Sequence, residues 1–156
     1  MRALLIVNPN ATSTTPAARD LLAHALSSRV RVTVAHTTHR DHAAELAREA
    51  REDGVGLVIV HGGDGTVNEV INGLLGVPLP KSMRSVTIGA IPPLAVVPGG
   101  SANVFARSLG IESDPVAATN QLIDLLAARS RRTIGLGHCA TRWFTFNAGL
   151  GLDAEV

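Results

Sequence analysis

His61–Val70, HGGDGTVNEV, sets three glycines around a single aspartate, directly after the apolar run GLVIVH (56–61) and directly before the helical spacing of GTVNEVINGLL (65–75). A continuous apolar run bounded by glycine reads as a strand covered on both faces, so the stretch is expected to be strand, tight turn, helix. Glycines at such a turn let the backbone fold sharply and let a ligand approach where a Cβ would collide. The helix behind it offers unpaired N–H groups and about half a unit of positive charge, a combination that favours phosphate. Asp64 is then the odd member. A carboxylate beside a phosphate repels it unless a divalent cation intervenes, so Asp64 points to Mg²⁺, held directly or through water, or to a hydroxyl whose proton it accepts. The plain alternative is a strand-to-helix turn, with Thr66 and Glu69 matching a Thr-x-x-Glu capping box at the helix start.

The same punctuation recurs along the chain. RALLIVN (2–8) reads as a strand and TPAARDLLAHALSS (15–28) as a helix, with Thr15 as its N-cap and Pro16 at its first position. RVRVTVAH (29–36) alternates as a strand does, DHAAELAREARED (41–53) is helical and closed by Gly54, and LAVVPGG (94–100) returns to strand. SANVFARSL (101–109) and DPVAATNQLIDLLAAR (114–129) supply further helix. Alternation of this kind implies an α/β fold with a mostly parallel sheet and helices on both faces. Ligands in such sheets sit beyond the carboxyl ends of the strands, which selects the loops after Val7, His36, His61 and Val97.

Those loops read NPNATS, TTHRD, GGDGT and PGGSAN. The last repeats the glycine design, with Ser101 expected to cap a helix whose first turn holds Asn103. Several glycine-lined corners at one sheet edge suit a polyphosphate. No GxxxxGK[ST] motif occurs, no GxGxxG follows the first strand, and the chain's one lysine, Lys81, lies in the proline-rich stretch 76–93, which holds four of the eight prolines and reads as an irregular connection. A Walker-type phosphate lysine is thereby excluded.

Composition bounds the remaining possibilities. At 156 residues, 46% apolar and with net charge +1, the chain fits one globular domain, and 3% aromatic content leaves few platforms for stacking bases, so no nucleic-acid partner is expected. Cys139, the sole cysteine, reads as a small buried apolar residue. No apolar run reaches the length of a membrane span, and a soluble, cytoplasmic protein is expected. His36, His39 and His42 are spaced by three but lack an acidic partner set for zinc, and read as ordinary polar histidines. Arg129, Arg131 and Arg132 read as a solvated helix end. RRTIGLGHCA (131–140) and RWFTFNAGLGLDAEV (142–156) read as a strand pair, with alternation from Phe144 through Leu152.

In order and spacing, NPNATS (8–13), GGDGTVNEV (62–70), PGGSANVFARSLGI (98–111) and FNAGLGLDAEV (146–156) resemble the catalytic, nucleotide-binding domain of the diacylglycerol kinase and sphingosine kinase superfamily, and bacterial soluble lipid kinases in particular. The resemblance implies a phosphofructokinase-like or NAD-kinase-like α/β domain that transfers the γ-phosphate of ATP to a lipid hydroxyl such as that of diacylglycerol, with Mg²⁺. It places Asn8, Ser13 and Thr37 near the nucleotide, Gly62, Gly63, Gly65 and Thr66 on its phosphates with Gly100, Ser101 and Asn103 in the companion loop, and Asp64 on the metal or the acceptor hydroxyl. It also implies work at the inner membrane surface. GGDGT alone is shared with NAD kinases, so an NAD kinase-like enzyme is one alternative and a non-catalytic nucleotide-binding module is another. Many relatives carry aspartate after the asparagine of the second motif, where this chain has Val104. Relatives also continue into a β-rich second domain that shapes the lipid site. On this reading residues 1–137 form the nucleotide-binding domain and 138–156 begin the strands leading to that second domain, so this chain is a nucleotide half with little turnover of its own and with an exposed face that can support a homo-oligomer.

Overall fold

A computed structural model describes residues 1–12, 16–79 and 90–148. Four strands, β1 (Arg2–Val7), β2 (Arg31–His36), β3 (Leu57–Gly62) and β4 (Leu94–Pro98), form one parallel sheet in the order β2-β1-β3-β4. Each of the first three is followed by a helix: α1 (Pro16–Ser27), α2 (His42–Glu52) and α3 (Asp64–Leu75). Past β4 come the short α4 (Val104–Ser108), then α5 (Pro115–Ala127) and a separate hairpin of β5 (Gly137–Cys139) and β6 (Arg142–Phe144).

The strands are apolar on both sides because both sides are covered. Ile6, Val58, Val60 and Val96 pack against α2, α3 and α4 through Ala43, Ala47, Val67, Val70, Ile71 and Phe105. Leu5, Val7, Ile59 and Val97 face the other way, against Leu22 and Leu26 of α1 and Ala118 and Leu122 of α5. Period-two alternation thus splits one run of valines and isoleucines into two cores. All six residues of β3 are buried, as expected for a central parallel strand. On the α2 side the helices come unusually close, since a Cβ on Gly73 would overlap the carbonyl of Ala44.

Several boundaries differ from the sequence expectation. β2 begins at Arg31 and not Arg29, because Arg29 still donates back to the Leu26 carbonyl as α1 unwinds. Only Val104–Ser108 of the expected helix 101–109 is helical. Cys139 is exposed, not buried: it lies in a two-stranded hairpin separate from the main sheet, of which Trp143 is the residue that packs, partly buried, against a core. β6 stops at Phe144, and Phe146 is 47% exposed. Asn72 does the work of a neighbouring strand for this hairpin, donating to the Trp143 carbonyl (3.0 Å) and accepting its N–H (3.0 Å), while the indole N–H donates to Gly76 O at 2.8 Å. Residues 76–79 and 90–93 contain neither helix nor strand. Thr15, Ser13, Lys81 and the alternation beyond Ala148 lie outside the described residues.

Candidate functional site

With β1 at the centre, the chain steps to β2 on one side and then crosses to β3 on the other, so the strand order switches between β1 and β3, and the carboxyl edge there is where sheets of this kind take ligands. Four backbone and side-chain links draw the loops together there. Asn8 N–H donates to the His61 carbonyl (3.0 Å), Thr37 N–H to Val7 O (2.9 Å) and Gly99 N–H to Gly62 O (3.0 Å), each extending the sheet ladder one step past its strands. The Asn8 side-chain amide then donates to Thr66 Oγ1 at 3.1 Å, fastening the first loop to α3.

The two glycine loops touch directly. A Cβ on Gly100 would stand 2.6 Å from the Cα of Gly63, and one on Gly63 would stand 3.3 Å from the Cα of Gly100. Backbone meets backbone only because neither residue has a side chain. Asn103 holds the second loop in place: its Oδ1 accepts from Gly100 N–H (3.0 Å) and its Nδ2 donates to Gly100 O (2.6 Å). Asn103 itself is left-handed, φ 48°, a conformation its short polar side chain tolerates better than most.

Helix α3 begins earlier than its sequence suggests. Gly63 is extended and serves as N-cap, Asp64 opens the helix, and the first i to i−4 bond runs from Val67 N–H to Gly63 O at 3.1 Å. The N–H groups of Asp64, Gly65 and Thr66 therefore precede the helical ladder and point out of its end. Thr66 sits in the first turn, buried and bonded to Asn8, so the Thr66–Glu69 capping box does not form.

Asp64 departs furthest from the expectation of an open carboxylate. Its Oδ2 accepts from Val104 N–H and its Oδ1 from Phe105 N–H, both at 2.9 Å across 40 and 41 residues. The start of α4 is thus capped by a side chain from α3, and Ser101, predicted for that role, is exposed and is not the cap. Asn103 precedes the helix and does not lie within its first turn. The half-buried Asp64 keeps a second lone pair on each oxygen for an outside ligand.

Of the residues singled out from sequence, Asn8, Gly62, Gly63, Asp64, Thr66, Gly100 and Asn103 join one connected set. Thr37 borders it through Val7, and Gly65 is exposed at the helix start. Ser101 lies in the same loop without a partner role in it. His61 went unnoticed in the motif. It is 1% exposed, its Nδ1–H donates to Val97 O at 3.1 Å, and burial lowers its pKa below 6.5 against the raising effect of that bond. An apolar strand ending in His just before the glycines is the signal that could have found it. Of the three spaced histidines only His42 lies in a helix, and among the described residues no group of three or more His, Cys, Asp or Glu is placed to hold a metal.

Residues 2–138 match the family described as the diacylglycerol kinase catalytic domain. A diacylglycerol kinase of Bacillus subtilis is 37% identical over 121 residues, 77% of this chain and 35% of its own. A probable lipid kinase, YegS-like, of Chromohalobacter salexigens is 36% identical over 111 residues, 71% of this chain and 32% of its own. The crystal structure of a diacylglycerol kinase from Bacillus anthracis superposes with TM-score 0.65 at 30% identity, over 79% of this chain and 42% of that one. The chain spans about a third of the length of the curated relatives it matches. By its sequence and by its sheet of glycine-lined corners, it belongs to the diacylglycerol kinase catalytic domain family.

Proposed function

We propose that the chain is the nucleotide-binding part of an ATP-dependent lipid kinase, which transfers the γ-phosphate of ATP to a lipid hydroxyl such as that of diacylglycerol with Mg²⁺. The observation that carries this reading is the backbone contact of Gly63 with Gly100 beside the open N–H groups of α3. Phosphoryl transfer asks a protein mostly to position phosphates and neutralise their charge. The side chains of Asn8, Thr66 and Asn103 tie the loops together and so hold the surrounding backbone in place. The backbone amides at the start of α3 are thereby fixed before any ligand arrives.

Asp64 fits a cation better than a proton. Each oxygen already accepts one N–H and presents one lone pair outward. Mg²⁺ is commonly held by one or two carboxylates with water and substrate phosphates completing the shell, so a lone Asp64 suits an ion that comes with the nucleotide. Bound there, the ion would neutralise charge on the transferred phosphate. The lipid and its surface would be met by a β-rich second domain of the longer protein, working at the inner face of the membrane from the cytoplasm. Among the described residues no helix is long and apolar enough to cross a membrane.

The test is a phosphorylation assay on the longer protein, offering diacylglycerol vesicles and NAD side by side with labelled ATP. Label on lipid and not on NAD is expected. A second reading, a nucleotide-binding module without turnover, draws on the internal commitment of Asp64. It is selected if calorimetry finds Mg-dependent ATP binding while no acceptor is labelled.

A further inference from the structure

Helix α5 ends in a turn that most chains give to glycine. Ser130 N–H donates to Leu125 O (2.9 Å) and Arg129 N–H to Leu126 O (3.2 Å), the paired bonds of a helix end that needs one left-handed residue, and that residue is Arg129, φ 51°. Past the turn, residues 130–136 line the same cavity as the helix they have just left. It measures about 530 Å³, and its walls are apolar: Ile71, Leu74, Phe105, Leu122, Leu125 and Leu136. Met1, Leu57 and Leu94 also border it, and these stand at or just before the starts of their strands. The phosphate loops follow the ends of those strands, roughly 16 Å away at about 3.3 Å per residue along β3. The cavity is therefore a second place, at the opposite edge of the sheet.

Its polar groups are few, and their charge is of one sign. Gln121 is already committed, since its Oε1 accepts the Glu112 N–H (3.1 Å) and its Nε2 donates to Gly110 O (2.9 Å). Ser130, Arg131 and Arg132 remain, all three exposed, and among the described residues that line the cavity none is acidic. A space walled by leucine favours an alkyl chain. Guanidinium groups at its rim favour a carboxylate, which they meet with two parallel N–H donors. At about 30 Å³ per heavy atom, the share a water molecule takes in its liquid, the cavity holds about 18 atoms, as many as hexadecanoate has. We propose that this cavity binds a long-chain fatty acid, its chain among the leucines of α3 and α5 and its carboxylate at Arg131 and Arg132. A neutral two-chain lipid matches neither the volume nor the arginines, so this ligand is not the acceptor of the proposed phosphoryl transfer. The inference goes beyond that reading and does not rest on it.

The test titrates the longer protein with cis-parinaric acid, a fluorescent long-chain carboxylate, below the concentration at which it forms micelles, and displaces the probe with hexadecanoate or hexadecanol. One site per chain is expected, emptied by hexadecanoate, with hexadecanol at least about 10-fold weaker, the scale on which hydrogen bonds to a charged group count. Arg131→Gln combined with Arg132→Gln should weaken hexadecanoate by about 10-fold or more and leave hexadecanol where it was. Leu125→Trp fills the rim from a side chain that is already 36% exposed, and should weaken both ligands. MgATP should displace neither, because the phosphate loops stand at the other edge of the sheet. Absence of binding, equal affinity for acid and alcohol, indifference to the arginine pair or to the tryptophan, or displacement by MgATP overturns the proposal. So does binding by the 156-residue chain that is lost in the longer protein, which would assign the cavity to another part of that protein.

Discussion

The two ends of β4 are built on opposite principles. At its carboxyl end, Pro98 leads into a loop held by Gly62, Gly63 and Asn103, where contacts are polar and backbone lies against backbone. Along its outer edge and toward its start lies a cavity of about 530 Å³ lined by Ile71, Leu74, Leu94, Phe105, Leu122 and Leu125. The first region tolerates almost no added atom, because its parts are covalent backbone that cannot rotate away. The second is lined by side chains that can change rotamer. Sensitivity to substitution should therefore follow how a place is built more than how deeply it is buried.

Gly100→Ala gives the sharpest test of that contrast. The added methyl would overlap the Cα of Gly63, and the two loops must part to admit it. On the proposed reading, ATP-dependent labelling of lipid should fall by at least about 10²-fold, the cost of spoiling a preorganised charge-stabilising site, with a measurable drop in Tm. Leu125→Ala at the cavity rim, where the side chain is already 36% exposed, should alter activity less than about 2-fold and stability by under about 1 kcal/mol. Equal effects for the two changes would dissolve the distinction.

Asp64→Asn comes next. An amide keeps one acceptor oxygen but turns an NH₂ toward the N–H of Val104 or Phe105, so the start of α4 should loosen as well as the chemistry. About 10²-fold or more in rate is expected, together with faster hydrogen exchange at Val104 and Phe105. A rate loss with those amides still protected would assign Asp64 wholly to the reaction; faster exchange with normal turnover would make it a cap and nothing else. Asn103→Ala lies lower on the scale. Loss of both bonds to Gly100 should cost about 1–3 kcal/mol of stability, read by urea unfolding, with MgATP binding reduced more than the fold.

The sequence announced this contrast unevenly. Strand, turn and helix alternation made the parallel sheet legible, because buried parallel strands must be apolar on both faces and glycine must stand where loops turn sharply. That glycines 63 and 100 meet was not legible, since 37 residues and a crossover separate them. The internal partners of Asp64 were hidden for a related reason. A carboxylate among glycines looks open in one dimension, and only the fold brings the amides of Val104 and Phe105 to it. Ser101 was a sound local guess for a helix cap, displaced by a distant acid with two oxygens to offer. The expected burial of Cys139 rested on residue type alone, which does not tell that the position falls in a three-residue strand of a separate hairpin, where it is exposed.

His61 offers the subtlest test, since it stands directly beneath the first region: an interior strand residue whose ring bonds the neighbouring strand just below the glycines. Its pKa is lowered mainly by burial, with the Val97 carbonyl pulling the other way. The unfolded chain therefore takes up this proton more readily than the folded one. Stability from His61 is present in full above the ordinary value of 6.5 and is lost as pH falls from there through the lower folded value. Urea midpoints should fall between pH 7 and pH 5, and His61→Asn, which can still donate to Val97 O but does not titrate, should flatten that slope while lowering stability at pH 7. An unchanged slope would mean that His61 is not the source of that acid sensitivity.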